Sequence, residues 1–124
     1  MNRCFRFSVG MAFAAFASIA GAAPSATAQR EINGLMQALE TSSCRFQRNG
    51  SWHEPAEARS HLQRKYDYLL KRNLTNTAEQ FIDRAASRSS ISGKPYRVAC
   101  PGTAEQDAAA WFQQQLQRLR RAGA

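Results

Sequence analysis

The sequence contains few of the side chains from which metal and hydrolytic sites are built. Its 124 residues include two histidines, three cysteines and nine acidic residues, against 17 lysines and arginines. His53 and His61 do not stand at metal-ligand spacing from cysteines, which argues against a zinc site. No two carboxylates are placed as a pair for hydrolysis. We therefore expect no metal and no cofactor.

A long apolar run occurs only at the N-terminus. Arg3 and Arg6 precede it, residues 7–23 are apolar and small, and Ala-Thr-Ala at 26–28 has the small-x-small pattern of a cleavage site. The run is slightly short and weakly hydrophobic for a span of about 20 residues, which disfavours a retained membrane helix. The sequence predicts a cleaved signal peptide over residues 1–28, with cleavage after Ala22 or Ala23 as alternatives.

Loss of this segment changes the size, the charge and the cysteine count of the chain. Removing 28 of 124 residues leaves 96, enough for one domain, residues 29–124. Without Arg3 and Arg6, 15 basic residues stand against nine acidic ones, a net charge of +6. Cys4 leaves with the signal peptide, so Cys44 and Cys100 remain as a pair. In an oxidising compartment such a pair favours a disulfide over a catalytic thiol, which lacks any supporting signature.

Apolar spacing predicts the secondary structure of the remaining domain. Residues 30–42 carry apolar side chains at i, i+3, i+4 and i+7, which indicates a helix. Asn49-Gly50 between two short alternating runs indicates a hairpin. Pro55 and Thr77 each suit the start of a further helix.

A short strand over residues 96–100 and a final helix capped by Thr103 complete the pattern. The expected fold class is α+β, with about four helices packed on a sheet of two or three strands and one disulfide. Three sheet residues are expected to pack against the helices: Phe46, Trp52 and Val98.

A serine-rich loop between the third helix and the strand is the first candidate site. Its hydroxyls, flexible backbone and cation are the ingredients of a small anion site. The candidate residues are Ser87, Ser90, Ser92, Gly93 and Lys94. The loop is not a nucleotide-binding phosphate loop, because the upstream glycine is missing and Pro95 stands where a serine or threonine is required. The other interpretation is that these serines cap the preceding helix and bond to the loop backbone.

His61 is the second candidate. It follows Glu57 by four residues, so the two would share a helix face and could do acid–base work. The other interpretation is that Glu57 and His61 form a structural pair, because no nucleophile or set of metal ligands accompanies them in the sequence.

The basic net charge suggests an acidic partner. A charge of +6 favours polyanions or an acidic protein surface of the bacterial envelope. Nucleic acid is not expected, because the arginines are scattered and not interleaved with aromatic residues.

Several segments resemble a known family of small secreted proteobacterial proteins, the YfeK-like proteins, a domain of unknown function. The resemblance rests on Thr77–Asp83, Ala86-Ser87 and Ser90–Tyr96, with Arg48-Asn49-Gly50, Glu57-Ala58, His61-Leu62, Lys65 and Pro101-Gly102. It spans about residues 31–120. It implies a periplasmic or secreted location and no characterised activity. If the family has a shared site, the resemblance points to the loop Ser87–Tyr96, with Arg48, Asn49 and His61 as neighbours.

Together these features predict an exported protein that is a non-enzymatic module for an anionic ligand or protein partner, and that does not span the membrane once the signal peptide is cleaved. The alternative is a small periplasmic hydrolase or transferase that uses the loop Ser87–Tyr96 with His61.

Overall fold

The computed structural model describes Gly10 and residues 23–123 of the chain. Residues 1–9 and 11–22, on which most of the predicted signal peptide falls, lie outside the described part. The helices are α1 (Ala26–Thr41), α2 (Pro55–Lys71), α3 (Ala78–Phe81), which continues as a π-helical segment (Ile82–Ala86), and α4 (Ala108–Ala122). The strands are β1 (Arg45–Arg48), β2 (Ser51–His53), β3 (Arg97–Ala99) and β4 (Gln106–Asp107). Over the described ranges, no helix has both the length and the apolar character needed to cross a membrane.

Helix α1 confirms the predicted apolar face and extends it towards the N-terminus. Ile32, Leu35, Met36 and Leu39 are all buried. The helix begins at Ala26, and the Ser25 hydroxyl caps it by accepting a hydrogen bond from the Ala28 N–H at 3.1 Å. Hydroxyl side chains at this position satisfy an amide that the helix itself leaves unpaired. The first turn therefore lies before the predicted domain boundary at residue 29.

The sheet is antiparallel and has the order β2-β1-β3-β4. Asn49 and Gly50 form the predicted hairpin turn, both with positive φ (50° and 81°). Phe46 lies opposite Val98 in the register, and both side chains are buried. The expectation for Trp52 is wrong. It pairs with Gln47, so the strand alternation places it on the outer face of the sheet, where it is 36% exposed.

The predicted disulfide is confirmed. Cys44 and Cys100 are bonded, with their Cα atoms 4.1 Å apart. They flank the pairing of Arg45 with Ala99, so the covalent link joins the beginning of β1 to the end of β3.

The end of the sheet differs from the expectation. Gln106 and Asp107 pair with Val98 and Arg97 as a fourth strand, and α4 begins only at Ala108. Thr103, the expected cap, instead bonds to the Cys100 carbonyl in a turn. The fold class is α+β as predicted, with four strands in place of two or three.

The four helices and one face of the sheet share a single core. Its larger buried side chains are Ile32, Leu35, Met36, Leu39, Phe46, Leu62, Tyr66, Leu69, Phe81, Ile82, Tyr96, Val98, Trp111, Phe112 and Leu116. Helix α2 packs beside β1 and the π-helical segment, and Lys65 on it bonds to the Arg88 carbonyl at the start of the serine-rich loop. This placement creates the site described below.

Removing the disulfide should cost much of the domain's stability. The bond closes a loop between residues 56 positions apart, and the chain-entropy relation gives about 4 kcal/mol for a loop of this size. We expect Cys44→Ser with Cys100→Ser to lower the free energy of unfolding in urea by roughly this amount. Reduction of the unsubstituted protein should reproduce the loss, and a change below about 1 kcal/mol would contradict the entropic account.

The position of chain cleavage should also affect stability. A chain that begins at Gln29 lacks Ser25 and the first turn of α1, whereas one that begins at Ala23 keeps both. We expect the longer chain to be more stable by about 1 kcal/mol, the usual contribution of an N-cap hydroxyl. Thermal denaturation of the two forms measures the difference. A Ser25→Ala variant of the longer chain should lose most of it, and equal stability of all three would contradict the prediction.

Candidate functional site

His61 lies on α2 between an arginine and a tyrosine. The Arg48 guanidinium donates to Nδ1 of His61 at 3.0 Å. A guanidinium has no acceptor, so Nδ1 must carry the lone pair, and the ring proton of the neutral histidine sits on Nε2. Nε2 then donates to the Tyr96 hydroxyl oxygen, 3.1 Å away. One strand residue thereby selects the tautomer of the imidazole.

Lys65, one helical turn after His61, reaches the same tyrosine. Its ammonium donates to the Tyr96 oxygen at 3.1 Å and to the Arg88 carbonyl at 3.0 Å. The phenol oxygen therefore accepts from two nitrogens, which occupies both of its lone pairs. Arg48, His61, Lys65 and Tyr96 together form what we call the Tyr96 network.

The network displaces the pKa values of its members. Burial, followed by the positive charges of Arg48 and Lys65, lowers the pKa of His61 to about 4. Burial, followed by the charges of Arg48 and Arg88, lowers the pKa of Lys65 to about 8. Burial raises the pKa of the Tyr96 phenol, and the charge of Arg48 opposes this. At neutral pH the histidine is uncharged, the tyrosine keeps its proton, and part of the lysine is free base.

A surface cavity of about 380 Å³ opens beside the network. Its lining residues come from α2, the π-helical segment and the serine-rich loop: His61, Arg64, Lys65, Tyr68, Leu69, Arg84 and Ser90. Three of these are cations and none is a carboxylate. Tyr68 and Leu69 supply the apolar part of the wall.

The cations at this cavity have no carboxylate partners among the described residues. The ion pairs of the described residues all involve basic residues outside the cavity lining. Their acidic members are Glu31, Glu40, Glu57, Glu79, Asp83, Glu105 and Asp107. Arg84 donates to the Leu74 carbonyl, and Lys65 is held by neutral oxygens. The cavity, which we call the cationic cavity, thus concentrates uncompensated positive charge.

The serine-rich loop supports the wall of the cationic cavity mainly through hydrogen bonds within the loop itself. Ser89 is buried, and its hydroxyl accepts from the N–H groups of Ile91 and Ser92 at 3.3 and 3.2 Å. Asn49 of the hairpin turn reaches across, donating to the Ser89 hydroxyl at 3.4 Å and accepting from the Ser92 hydroxyl at 2.6 Å. The hairpin turn and the loop are therefore fastened to each other.

The predicted site residues divide into two groups. Ser90 and His61 line the cationic cavity, and Arg48 contacts it through His61. Ser87 is buried and donates to the Asp83 carbonyl, Gly93 turns the loop with φ 72°, and Lys94 bonds through its backbone to Ser89 and Ser92. Ser92 is occupied by Asn49.

The expected pairing of Glu57 with His61 is wrong. Glu57 instead lies 2.7 Å from Nδ1 of His53, which precedes it by four residues. The partner that orients His61 is Arg48.

Sequence reasoning did not assign Arg64, Lys65 and Arg84 to the site, and it included Tyr96 only as the last residue of the loop Ser87–Tyr96. Arg64 and Arg84 resembled ordinary solvated charges in the sequence. A signal did exist for Lys65 and Tyr96, since both belong to the segments that carry the family resemblance.

A second cavity of about 440 Å³ lies at the disulfide end of the molecule. Amide and hydroxyl side chains with Arg118 form much of its wall, and it adjoins none of the residues of the Tyr96 network. Over the described residues there is also no cluster of three histidine, cysteine or carboxylate side chains that could hold a metal ion. The cationic cavity therefore remains the candidate site.

Comparison with known proteins finds relatives whose function is unknown. The uncharacterized protein YfeK of Salmonella typhimurium strain LT2 is 48% identical over 69 residues, which cover 55% of this chain and 56% of that protein. The chain thus spans little more than half the length of this relative. No solved structure matches the present chain significantly. The model of the DUF5329 family, a family of unknown function, matches residues 26–120. As the resemblance predicted, the chain belongs to this family.

Proposed function

We propose that this protein is a non-enzymatic binding module of the bacterial envelope whose cationic cavity holds an anionic ligand or an acidic group of a partner protein. The observation that carries the proposal is the presence of Arg64, Lys65 and Arg84 around one cavity without a lining carboxylate. Cations that lack internal partners attract an external anion, and their field is strongest in a concave, partly desolvated site.

The geometry suits an oxyanion with an apolar or aromatic body. Guanidinium groups present paired N–H donors to carboxylate or phosphate oxygens, and ammonium adds a point charge. Ser90 adds a hydroxyl at the rim, while Tyr68 and Leu69 offer apolar contact. In this proposal the rest of the serine-rich loop shapes the wall and does not contact the ligand.

The envelope location rests on two supports. The disulfide between Cys44 and Cys100 is typical of oxidising compartments. The N-terminal sequence is typical of an export signal. An exported protein of net charge +6 would meet anionic envelope components, which fits the cavity.

The alternative, a small periplasmic hydrolase or transferase that uses the loop Ser87–Tyr96 with His61, has less support. A serine nucleophile needs a base within hydrogen-bond reach. The described contacts of His61 are with Arg48 and Tyr96, and Glu57 is bonded to His53. A pKa of about 4 also makes this imidazole a weak base at neutral pH.

Titration with inorganic phosphate and pyrophosphate, followed by NMR chemical shifts, tests the cationic cavity. We expect shifts confined to its lining residues, and binding about tenfold weaker in Arg64→Gln, because a charged hydrogen bond contributes roughly 1.5–3 kcal/mol. Arg118→Gln removes the same charge at the second cavity and serves as the matched control. Equal weakening in both variants would show that only net charge matters and would contradict the proposal.

The binding should weaken at alkaline pH. Lys65 has a pKa of about 8, and a bound anion favours its protonated form, so affinity is full below that value and falls as the amine loses its proton. Sulfate is the appropriate probe, because its own charge is constant from pH 6 to 10. We expect its affinity to fall about tenfold from pH 7 to 9.5, the effect of losing one charged hydrogen bond.

Lys65→Arg keeps a charge that does not titrate in this range. It should bind sulfate with a flat pH profile, whereas Lys71→Arg should retain the fall. If the Lys65→Arg profile fell like that of the unsubstituted protein, Lys65 would not be the group responsible.

A further inference from the structure

Lys65 differs in its surroundings from the other two lysines of the chain. Lys71 and Lys94 are exposed, whereas Lys65 is half-buried in the wall of the cationic cavity. Its Nζ lies 4.9 Å from the centroid of the Tyr96 ring and is held by two neutral oxygens, a carbonyl and a phenol. These bonds fix the amine in place without supplying the negative charge that would keep it protonated.

The charged groups that act on this amine are basic. Arg48 of β1 and Arg88 at the start of the loop are near enough for their charges to lower its pKa. Arg64, Arg84 and the uncharged His61 line the same cavity. The Arg88 guanidinium is also paired with Asp83 at 3.6 Å. Lysines among cations and apolar groups are the ones that act as amine nucleophiles in proteins.

We infer that Lys65 is a nucleophilic amine that condenses with the carbonyl group of an aldehyde or ketone whose anionic substituent is held by Arg64 and Arg84. The inference rests on the proposed anion site and names the chemical class of its ligand: a carbonyl compound with a carboxylate or phosphate group. The product is an imine on Nζ, a reversible covalent bond within the binding site.

The Tyr96 phenol is placed to move the protons of this condensation. The Nζ lone pair attacks the carbonyl carbon, and one proton passes from nitrogen to the carbonyl oxygen, which gives the carbinolamine. Tyr96, 3.1 Å from Nζ, then donates its proton to the hydroxyl group, which leaves as water while the C=N bond forms. The remaining proton on nitrogen returns to the phenolate, so that amine and carbonyl are converted to imine and water with no other reactant.

The acidity of Lys65 supports the same role. With a pKa of about 8, roughly one amine in ten is free base at pH 7, against about one in 2,500 for a lysine of ordinary pKa. After allowance for the lower nucleophilicity of a weaker base, which costs about tenfold for such a shift, reaction roughly 20-fold faster than at an exposed lysine is expected.

Reductive trapping on the complete chain tests the inference. The protein is incubated at pH 7 with 4-formylbenzoate or with uncharged 4-(hydroxymethyl)benzaldehyde in the presence of cyanoborohydride, and each modified lysine is quantified by peptide mass spectrometry. Lys71 and Lys94 are internal controls in the same molecule. We expect Lys65 to be labelled at least about tenfold faster than either, and the charged aldehyde to label it about tenfold faster than the neutral one, through one charged hydrogen bond.

The outcomes separate this inference from the proposed function. Equal labelling of the three lysines overturns the nucleophilic amine, whatever the phosphate titration shows. Selective labelling of Lys65 without preference for the charged aldehyde supports the amine and overturns the anion-holding role of Arg64 and Arg84. Arg64→Gln should slow labelling of Lys65 by 4-formylbenzoate alone.

Tyr96→Phe tests the proton transfer. A thermal melt first establishes that the variant folds, since the ring packs in the core. We expect labelling of Lys65 to slow about 100-fold, the lower end of what a positioned acid contributes. At high pH, where dehydration of the carbinolamine needs an acid most, we expect this step to account for the slowing. An unchanged rate in a folded variant overturns the role of the phenol.

Discussion

Tyr96 connects the serine-rich loop, α2 and α4, and the rest of the structure depends on these contacts. Its N–H donates to the Ser87 carbonyl at 2.9 Å, and its own carbonyl accepts from Ala108 at the start of α4 at 2.8 Å. The residue is 1% exposed, and its ring packs against Phe46 with the centroids 5.0 Å apart. Hydrogen bonds therefore fix the backbone of Tyr96 through both its N–H and its carbonyl group, and this positions the hydroxyl group against α2. Because the ring is buried, its oxygen is a fixed point about which His61 and Lys65 arrange.

The separation of charge across the molecule follows a similar logic. Arg120 bonds to both Glu31 and Glu79 and so ties α4 to α1 and α3, which raises its pKa. Arg97 is paired with Glu105 and Asp107 on the outer face of the sheet. Among the described residues, Arg48, Arg64, Lys65 and Arg84 have no carboxylate partner. Other basic residues, such as Arg45, Lys71 and Lys94, are exposed, whereas these four lie together at the Tyr96 network and the cationic cavity.

Local patterns predicted much of the fold and little of the site. The period of apolar residues located α1, Pro55 located the start of α2, Asn49-Gly50 located the hairpin, and the cysteine count predicted the disulfide. The two-residue strand β4 has no periodic signal to detect, and the short run of β2 did not reveal which face Trp52 would take.

Glu57 illustrates why the site was harder to predict. It stands four residues from both His53 and His61, so spacing alone cannot choose between them. The choice depends on Arg48, which lies on strand β1 and donates a hydrogen bond to Nδ1 of His61. Likewise Lys65 and Tyr96 are 31 positions apart, and only the packing of the sheet under α2 brings them together.

The disulfide has a topological consequence for this site. Residues 44–100 form a covalently closed ring, and every residue that lines the cationic cavity belongs to it, while α1 and α4 are arms attached outside. Fraying of either arm would leave the ring closed, and the unfolded ring samples fewer arrangements than an open chain. The part of the protein that carries the cationic cavity is in this sense a macrocycle, and α1 and α4 complete its hydrophobic core from outside the ring.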